Sequence, residues 1–148
     1  MKDKSIEKLT MKLLLTLLVR DEMDIIKSNL SYHLDAGVDF IIVTDNGSTD
    51  GTTEALKTYE KAGCLEYFYE APSDFSQFAW VTRMAQQAYS KYKADWVINC
   101  DADEFFISSP GNLKDALGQV SEHTGVVLIR KSWIYYIRDA SYVSFVTE

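Results

Sequence analysis

A chain of 148 residues with 47% apolar and 25% charged residues has the composition of one globular domain and can bury a core without staples. Its net charge of −7 excludes a general nucleic-acid binder, which needs a basic stripe against phosphates. Two cysteines, Cys64 and Cys100, exclude a disulfide framework, and the longest apolar run near the start, Leu13 to Val19, is far short of the ~20 residues that a membrane span needs.

Met1 to Thr10 is charged and aperiodic, a frayed lead-in. Leu13 to Val19 then reads as the first strand. Arg20-Asp21-Glu22 follows at once, and Asp21 is expected to cap a helix to about Ala36 whose positions Ile25, Ile26, Leu30, His33 and Leu34 keep helical spacing. Gly37 closes that helix. His33 on this stripe reads as a packed, half-buried histidine, since no second His or Cys stands at metal-site spacing. Val38 to Thr44 is the second strand. The loop Asp45-Asn46-Gly47-Ser48-Thr49-Asp50-Gly51 is built of turn formers, and Thr52 is expected to cap a helix to about Ala62, with Gly63 after it. Leu65 to Tyr69 is a third strand and Pro72 to Ser76 a turn. A longer helix runs to about Tyr92 with Phe78, Val81, Ala85, Ala88 and Tyr92 at spacings of three and four.

The segment Ala94 to Phe106 is an apolar run that ends in acids. Trp96, Val97 and Ile98 suit a strand covered on both faces, and Asp101, Asp103 and Glu104 stand at its carboxyl end, where open parallel sheets bind ligands. Two like charges about 4 Å apart repel by roughly 4 kcal/mol at an effective dielectric near 20. Asp101 and Asp103 held close would therefore favour a cation, and oxygen ligands suit Mg²⁺ or Mn²⁺. The thirteen aspartates of the chain make about one Asp-x-Asp expected by chance, so the bland reading is a solvated turn. The setting at a strand end is what gives the pattern weight.

Asn112 is expected to cap a helix to about Val120, Val126 to Ile129 to form another strand, and the aromatic tail Trp133 to Val146 one or two more. Strand and helix alternate throughout. That predicts an α/β fold with a mostly parallel, Rossmann-like sheet flanked by helices on both faces, one domain over residues 1–148. Acids follow the first strand at Asp21 and Glu22, the second at Asp45 and Asp50, and the fourth at Asp101 and Asp103. Neighbouring strands would bring them to one rim, where carboxylates accept from ribose hydroxyls and base N–H groups and ligate a metal on a diphosphate.

Four ordered motifs resemble the family 2 glycosyltransferases of the GT-A fold: Leu-Val-Arg-Asp-Glu at 18–22, Thr-Asp-Asn-Gly-Ser-Thr-Asp-Gly-Thr at 44–52, Trp-Val-Thr-Arg-Met at 80–84 and Asp-Trp-Val-Ile-Asn-Cys-Asp-Ala-Asp-Glu-Phe at 95–105. The resemblance covers Leu13 to Val120. It implies that Asp45 contacts the base or ribose of a nucleotide-sugar donor, that Glu22 lies near the base, and that Arg83 faces the donor. It also implies that Asp101 and Asp103 serve a metal, Mn²⁺ or Mg²⁺, on the diphosphate. With Arg20 and Asp50 at the same strand ends, the candidate donor-binding set is Arg20, Glu22, Asp45, Asp50, Arg83 and Asp101, and the candidate metal pair is Asp101 and Asp103. Where this chain has Asp21 the family more often has Asn. For Arg83 the bland reading is a surface arginine in a salt bridge.

The implied chemistry is displacement at the anomeric carbon with inversion, a carboxylate deprotonating an acceptor hydroxyl. The resemblance puts that base in an acceptor-binding half downstream, which this chain is expected to lack in part. Of the acids after Glu104, Asp139 is the candidate base. The alternative reading is a nucleotide-sugar-binding module without turnover. A haloacid-type phosphohydrolase also carries Asp-x-Asp after an apolar strand, but there the motif ends in Thr or Val on the first strand, and here Phe105 holds that place late in the chain. No signal-peptide cleavage pattern follows the first apolar run, so a cytoplasmic chain is expected. Nine apolar residues in the tail are too many for a solvated terminus, and self-association, most simply as a homodimer, is expected.

Overall fold

The computed structural model describes residues 11–71, 76–108 and 111–120, together with the backbone of two short strands at 133–134 and 145–146. The lead-in, most of the Pro72 turn, the Val126 strand, Asp139 and the tail side chains on which self-association rests lie outside the described residues.

The elements run β1 (Leu13–Val19), α1 (Ile26–Asp35), β2 (Phe40–Asp45), α2 (Thr52–Lys61), β3 (Leu65–Tyr69), α3 (Gln77–Ser90), β4 (Trp96–Asp101), α4 (Leu113–Leu117), β5 (Trp133–Ile134) and β6 (Phe145–Val146). The first four strands form one sheet in the order β3-β2-β1-β4, and every pairing in it is parallel. β5 and β6 pair antiparallel as a separate two-stranded unit.

The run Leu-Leu-Leu-Thr-Leu-Leu-Val forms β1 because a strand walled by neighbours on both edges and helices on both faces has no solvated side. Leu13, Leu14, Leu15 and Leu17 are fully buried and Thr16 nearly so. Each such leucine contributes about 1.5–3 kcal/mol relative to exposure. The hydroxyl of Thr16 donates to Asn99 Oδ1 at 3.1 Å, so the one polar residue of the strand has a partner.

Alternate residues of the strands divide the core in two. Leu13, Leu15, Leu17, Ile41, Val43 and Cys100 pack with Ile26 and Leu30 of α1, Ala55 and Leu56 of α2 and Leu113 of α4. Leu14 and Ile42 on the other face pack with Met84 and Ala88 of α3. Strands β1, β2 and β3 march one way, and α3 crosses back over the opposite face to place β4 beside β1. The strand order therefore reverses between β1 and β4, and the crevice beyond their carboxyl ends is the ligand position of such sheets.

Several expectations need correction. The apolar run Trp96-Val97-Ile98 predicts a strand covered on both faces, yet these three residues of β4 are only half-buried, since among the described residues β4 has β1 as its sole sheet neighbour. Asp21 does not cap α1. It sits at φ 54°, and the helix begins at Ile26 with no side-chain cap. Thr52 is the first residue of α2 and not its cap; Gly51 precedes it at φ 103°, and Asp50 Oδ1 accepts from the Thr52 N–H at 3.0 Å. The inward stripe of α3 is Trp80, Met84 and Ala88, whereas Phe78 is 85% exposed. Asn112 does cap α4, accepting from the Lys114 N–H at 2.8 Å, and Gly37 does close α1 at φ 106°. A Cβ on Gly37 would meet Asn112 Oδ1 at 2.7 Å, so this glycine is needed for space as well as for its left-handed backbone.

Candidate functional site

The carboxyl ends of β2, β1 and β4 lie side by side, Val19 aligned with Asp45 and Leu18 with Asp101. Successive residues of a strand point to opposite faces. Because Leu18 and Val19 are successive, Asp45 and Asp101 share a rim but leave the sheet on opposite faces.

Asp45 leaves on the face of α2. It is fully buried, with Oδ1 accepting from the Ser48 N–H at 2.9 Å and Oδ2 from the Thr53 hydroxyl at 2.6 Å and the Tyr67 hydroxyl at 3.0 Å. Burial pushes the Tyr67 hydroxyl up to about 12, and the Asp45 carboxylate beside it adds to the rise. Asp45 thus pins the start of the loop to α2 and β3.

The next residues lace two loops together. Asp21 Oδ1 accepts from the Thr49 N–H at 2.7 Å, and the Asp21 N–H donates to Ser48 Oγ at 2.9 Å. The Glu22 N–H donates to Thr52 Oγ1 and the Met23 N–H to Asp50 Oδ2, both at 2.9 Å. Asp50 also accepts from the Thr52 hydroxyl at 2.6 Å. Hydrogen bonds, that from the Thr52 hydroxyl foremost and that from the Met23 N–H next, hold the exposed Asp50 carboxyl below its ordinary value. Arg20 remains at the solvated end of β1, its Nε 3.9 Å from Asp21 Oδ2.

This lacing brings acids together. The Glu22 carboxyl is pushed above its ordinary value by burial first, and then by the negative charges of Asp103, Asp24, Asp50 and Asp101. Glu22 therefore lies within electrostatic reach of Asp50, Asp101 and Asp103, the four standing at or just beyond the ends of three neighbouring strands. Asp101 and Asp103 are exposed. Arg83 stands apart from this group, half-buried on α3, paired with Glu70, its Nη2 3.4 Å from Thr44 Oγ1 and its guanidinium 5.2 Å above the Phe68 ring. The salt bridge anticipated for it is present, at the β2 and β3 end of the rim.

A set of residues on α1 was not singled out for the site. Asn29 and His33 are fully buried. Asn29 Nδ2 donates to the Ala102 carbonyl at 2.9 Å and the Glu104 carbonyl at 2.8 Å. The Phe106 N–H donates to His33 Nε2 at 3.2 Å, which leaves the proton on Nδ1, 3.0 Å from the Asn29 carbonyl and 3.1 Å from Asn29 Oδ1. The Tyr32 hydroxyl donates to the Phe106 carbonyl at 3.2 Å. The signal in the sequence was a polar pair at i and i+4 inside an apolar stripe, a placement that demands buried partners. Histidine at 33 was read as half-buried packing; it is wholly buried and hydrogen-bonded through both ring nitrogens.

Burial lowers the His33 pKa from its ordinary 6.5, with the hydrogen bond to Asn29 opposing the shift. Its ring neighbours Tyr32, Phe105 and Phe106 carry no charge. Just below pH 6.5 the unfolded chain binds a proton that the folded chain does not, so the stabilisation is full above that pH and lost as pH falls. The melting temperature is expected to drop between pH 7 and pH 5, and less in His33→Gln. Equal slopes in calorimetry of the two proteins would contradict this.

The model of glycosyltransferase family 92 matches residues 16–145. Among solved structures, S. aureus TarS 1-349 is similar in fold, with a TM-score of 0.54 and 19% identity over 73% of this chain. The aligned part is 32% of that chain, so this chain spans about a third of its length. No curated protein matches by sequence.

Proposed function

The chain belongs to glycosyltransferase family 92, and on that premise we propose that it binds a nucleotide-sugar donor at the carboxyl rim of β1, β2 and β4 and transfers the sugar to an acceptor hydroxyl. The observation that carries this reading is the gathering of Glu22, Asp50, Asp101 and Asp103 from three neighbouring strand ends. A rim this negative does not attract a diphosphate unaided, because like charges repel. A divalent cation between them resolves the conflict.

The donor set fits such a cation. All four side chains offer carboxylate oxygens, the ligands of hard Mg²⁺ and Mn²⁺. Among the described residues no three His, Cys, Asp or Glu side chains form an enclosing metal cage. An ion at this rim would therefore have one or two protein carboxylates at most, with phosphate oxygens and water as its other ligands. Asp101 and Asp103, exposed at the mouth, are the residues that would hold it, and when bound it would supply Lewis-acid stabilisation of the departing diphosphate.

The chain's own groups have separate tasks. Glu22, whose carboxyl burial and then the neighbouring negative charges raise above its ordinary value, can accept from hydroxyl or N–H groups of the base or ribose. Asp45 acts by holding the 45–53 loop in shape, and Arg20 offers a cation at the exposed end of β1. The likeness of four ordered motifs to family 2 supports an inverting displacement, with Asp139 as the candidate base for the acceptor hydroxyl.

Isothermal titration with UDP and GDP, each with Mn²⁺ and with EDTA, tests the donor site. Binding of at least one nucleotide is expected with Mn²⁺ alone, and no heat with either nucleotide would overturn the reading. Release of sugar from a bound donor then separates a transferase from a module that only binds.

A further inference from the structure

Asp103 is exposed, and an exposed residue in a turn takes its position from the backbone that carries it. The carbonyl before it, that of Ala102, and the carbonyl after it, that of Glu104, both accept from one side chain, Asn29 Nδ2, at 2.9 and 2.8 Å. An amide has two N–H bonds in a plane, so this arrangement holds the peptide group that joins Ala102 to Asp103 and the one that joins Glu104 to Phe105. Asn29 can do this in only one of its two flip states. The other would aim its oxygen at two carbonyl oxygens.

His33 selects that state. The Phe106 N–H points at His33 Nε2 at 3.2 Å, so Nε2 accepts and Nδ1 carries the proton. That proton faces Asn29 Oδ1 at 3.1 Å, which keeps the amide oxygen away from the loop. A peptide N–H cannot give up its proton, so Nδ1 must donate; its proton is shared between the Asn29 carbonyl at 3.0 Å and Asn29 Oδ1 at 3.1 Å, and it favours the same amide orientation that the two loop carbonyls require. Asn29, His33 and Ala102 are buried and Glu104 and Phe106 partly so; an unpaired polar group that is buried costs about 1–3 kcal/mol.

Resting on the donor-site reading above, we propose that Asn29 is a positioning residue for the Asp103 carboxylate, oriented by His33, and that it sets the affinity of the rim for a divalent cation. Neither side chain touches the ligand. The effect is on how narrowly Asp103 is placed, and a loose carboxylate must be ordered when the ion binds, which weakens binding.

The test uses the whole chain in four forms: wild type, Asn29→Ala, His33→Gln and Tyr32→Phe. Amide hydrogen exchange at residues 102–106 reads the clamp, Mn²⁺ titration followed by the electron paramagnetic resonance of free ion reads the site, and thermal melting checks folding. Asn29→Ala is expected to speed exchange at 102–106 about tenfold or more, leave β1 and β2 protected, and weaken Mn²⁺ binding by a similar factor. His33→Gln can still accept from the Phe106 N–H and should fall between Asn29→Ala and wild type. Tyr32→Phe keeps the ring beside His33 and removes only the hydroxyl that donates to the Phe106 carbonyl, and it should leave Mn²⁺ binding within twofold. Faster exchange with unchanged Mn²⁺ binding would reduce Asn29 to a structural role and overturn the proposal, as would unchanged exchange. If Asn29→Ala does not fold, wild-type values throughout in His33→Gln would overturn it equally. Wild type that takes up no Mn²⁺ at millimolar concentration would sink the donor-site reading itself, while the exchange data would still decide whether Asn29 and His33 hold the loop.

Discussion

Asp103→Ala is expected to lower nucleotide affinity in the presence of Mn²⁺ to the level seen with EDTA, a loss of about tenfold or more, or at least ~1.4 kcal/mol. Asp103 is exposed and the backbone on either side of it is held by Asn29, so the variant should melt at the wild-type temperature. The loss would then belong to the missing carboxylate and not to the fold. A second effect separates the electrostatic cause from others. Burial and then the charge of Asp103 raise the Glu22 carboxyl, so its titration, followed by NMR, should move down in the variant. It should remain above an ordinary glutamate, because burial stays. Wild type that binds nucleotide equally well with EDTA and with Mn²⁺ would remove the basis for this expectation.

Asp45→Ala should act on stability before it acts on binding. The variant leaves the Ser48 N–H, the Thr53 hydroxyl and the Tyr67 hydroxyl without their acceptor in a place from which Asp45 is wholly shielded from water. Each buried donor left unsatisfied costs about 1–3 kcal/mol. The hydroxyls can turn to other acceptors and the backbone N–H cannot, so about 3 kcal/mol is expected, or a fall of about 10 °C in melting temperature for a chain of this size. Nucleotide affinity should fall as well, since Ser48 and Asp50 on the loop hold the Asp21 to Met23 segment. A variant with unchanged melting temperature and weakened binding would return Asp45 to the role the family resemblance implies, direct contact with the nucleotide.

The parallel α/β arrangement could be read from the chain because its signals are local. The leucine-rich β1, the glycines at 37 and 63 that end α1 and α2 with φ of 106° and 79°, and the Asn112 cap on α4 each act over a few residues. The acids were legible for the same reason: they follow strands directly, and strands that alternate with helices deliver their ends to one rim. Side-chain facing on α3 was not legible. Phe78 and Trp80 are both large and apolar, and only the sheet beneath decides that Trp80 is buried and Phe78 exposed.

What the sequence by itself determined is therefore the kind of fold and the rim of the sheet at which the acids that follow its strands stand. What the tertiary structure decided is how deeply each of those carboxylates lies. A one-residue offset between two strand pairings sends Asp45 to one face and Asp101 to the other, and burial then gives Asp45 three internal donors while Asp101 and Asp103 stay open to solvent. The same holds for Asn29 and His33. Their partners lie more than seventy residues away along the chain, and no local pattern records a hydrogen bond whose two ends are brought together only when α1 packs beneath the loop that follows β4.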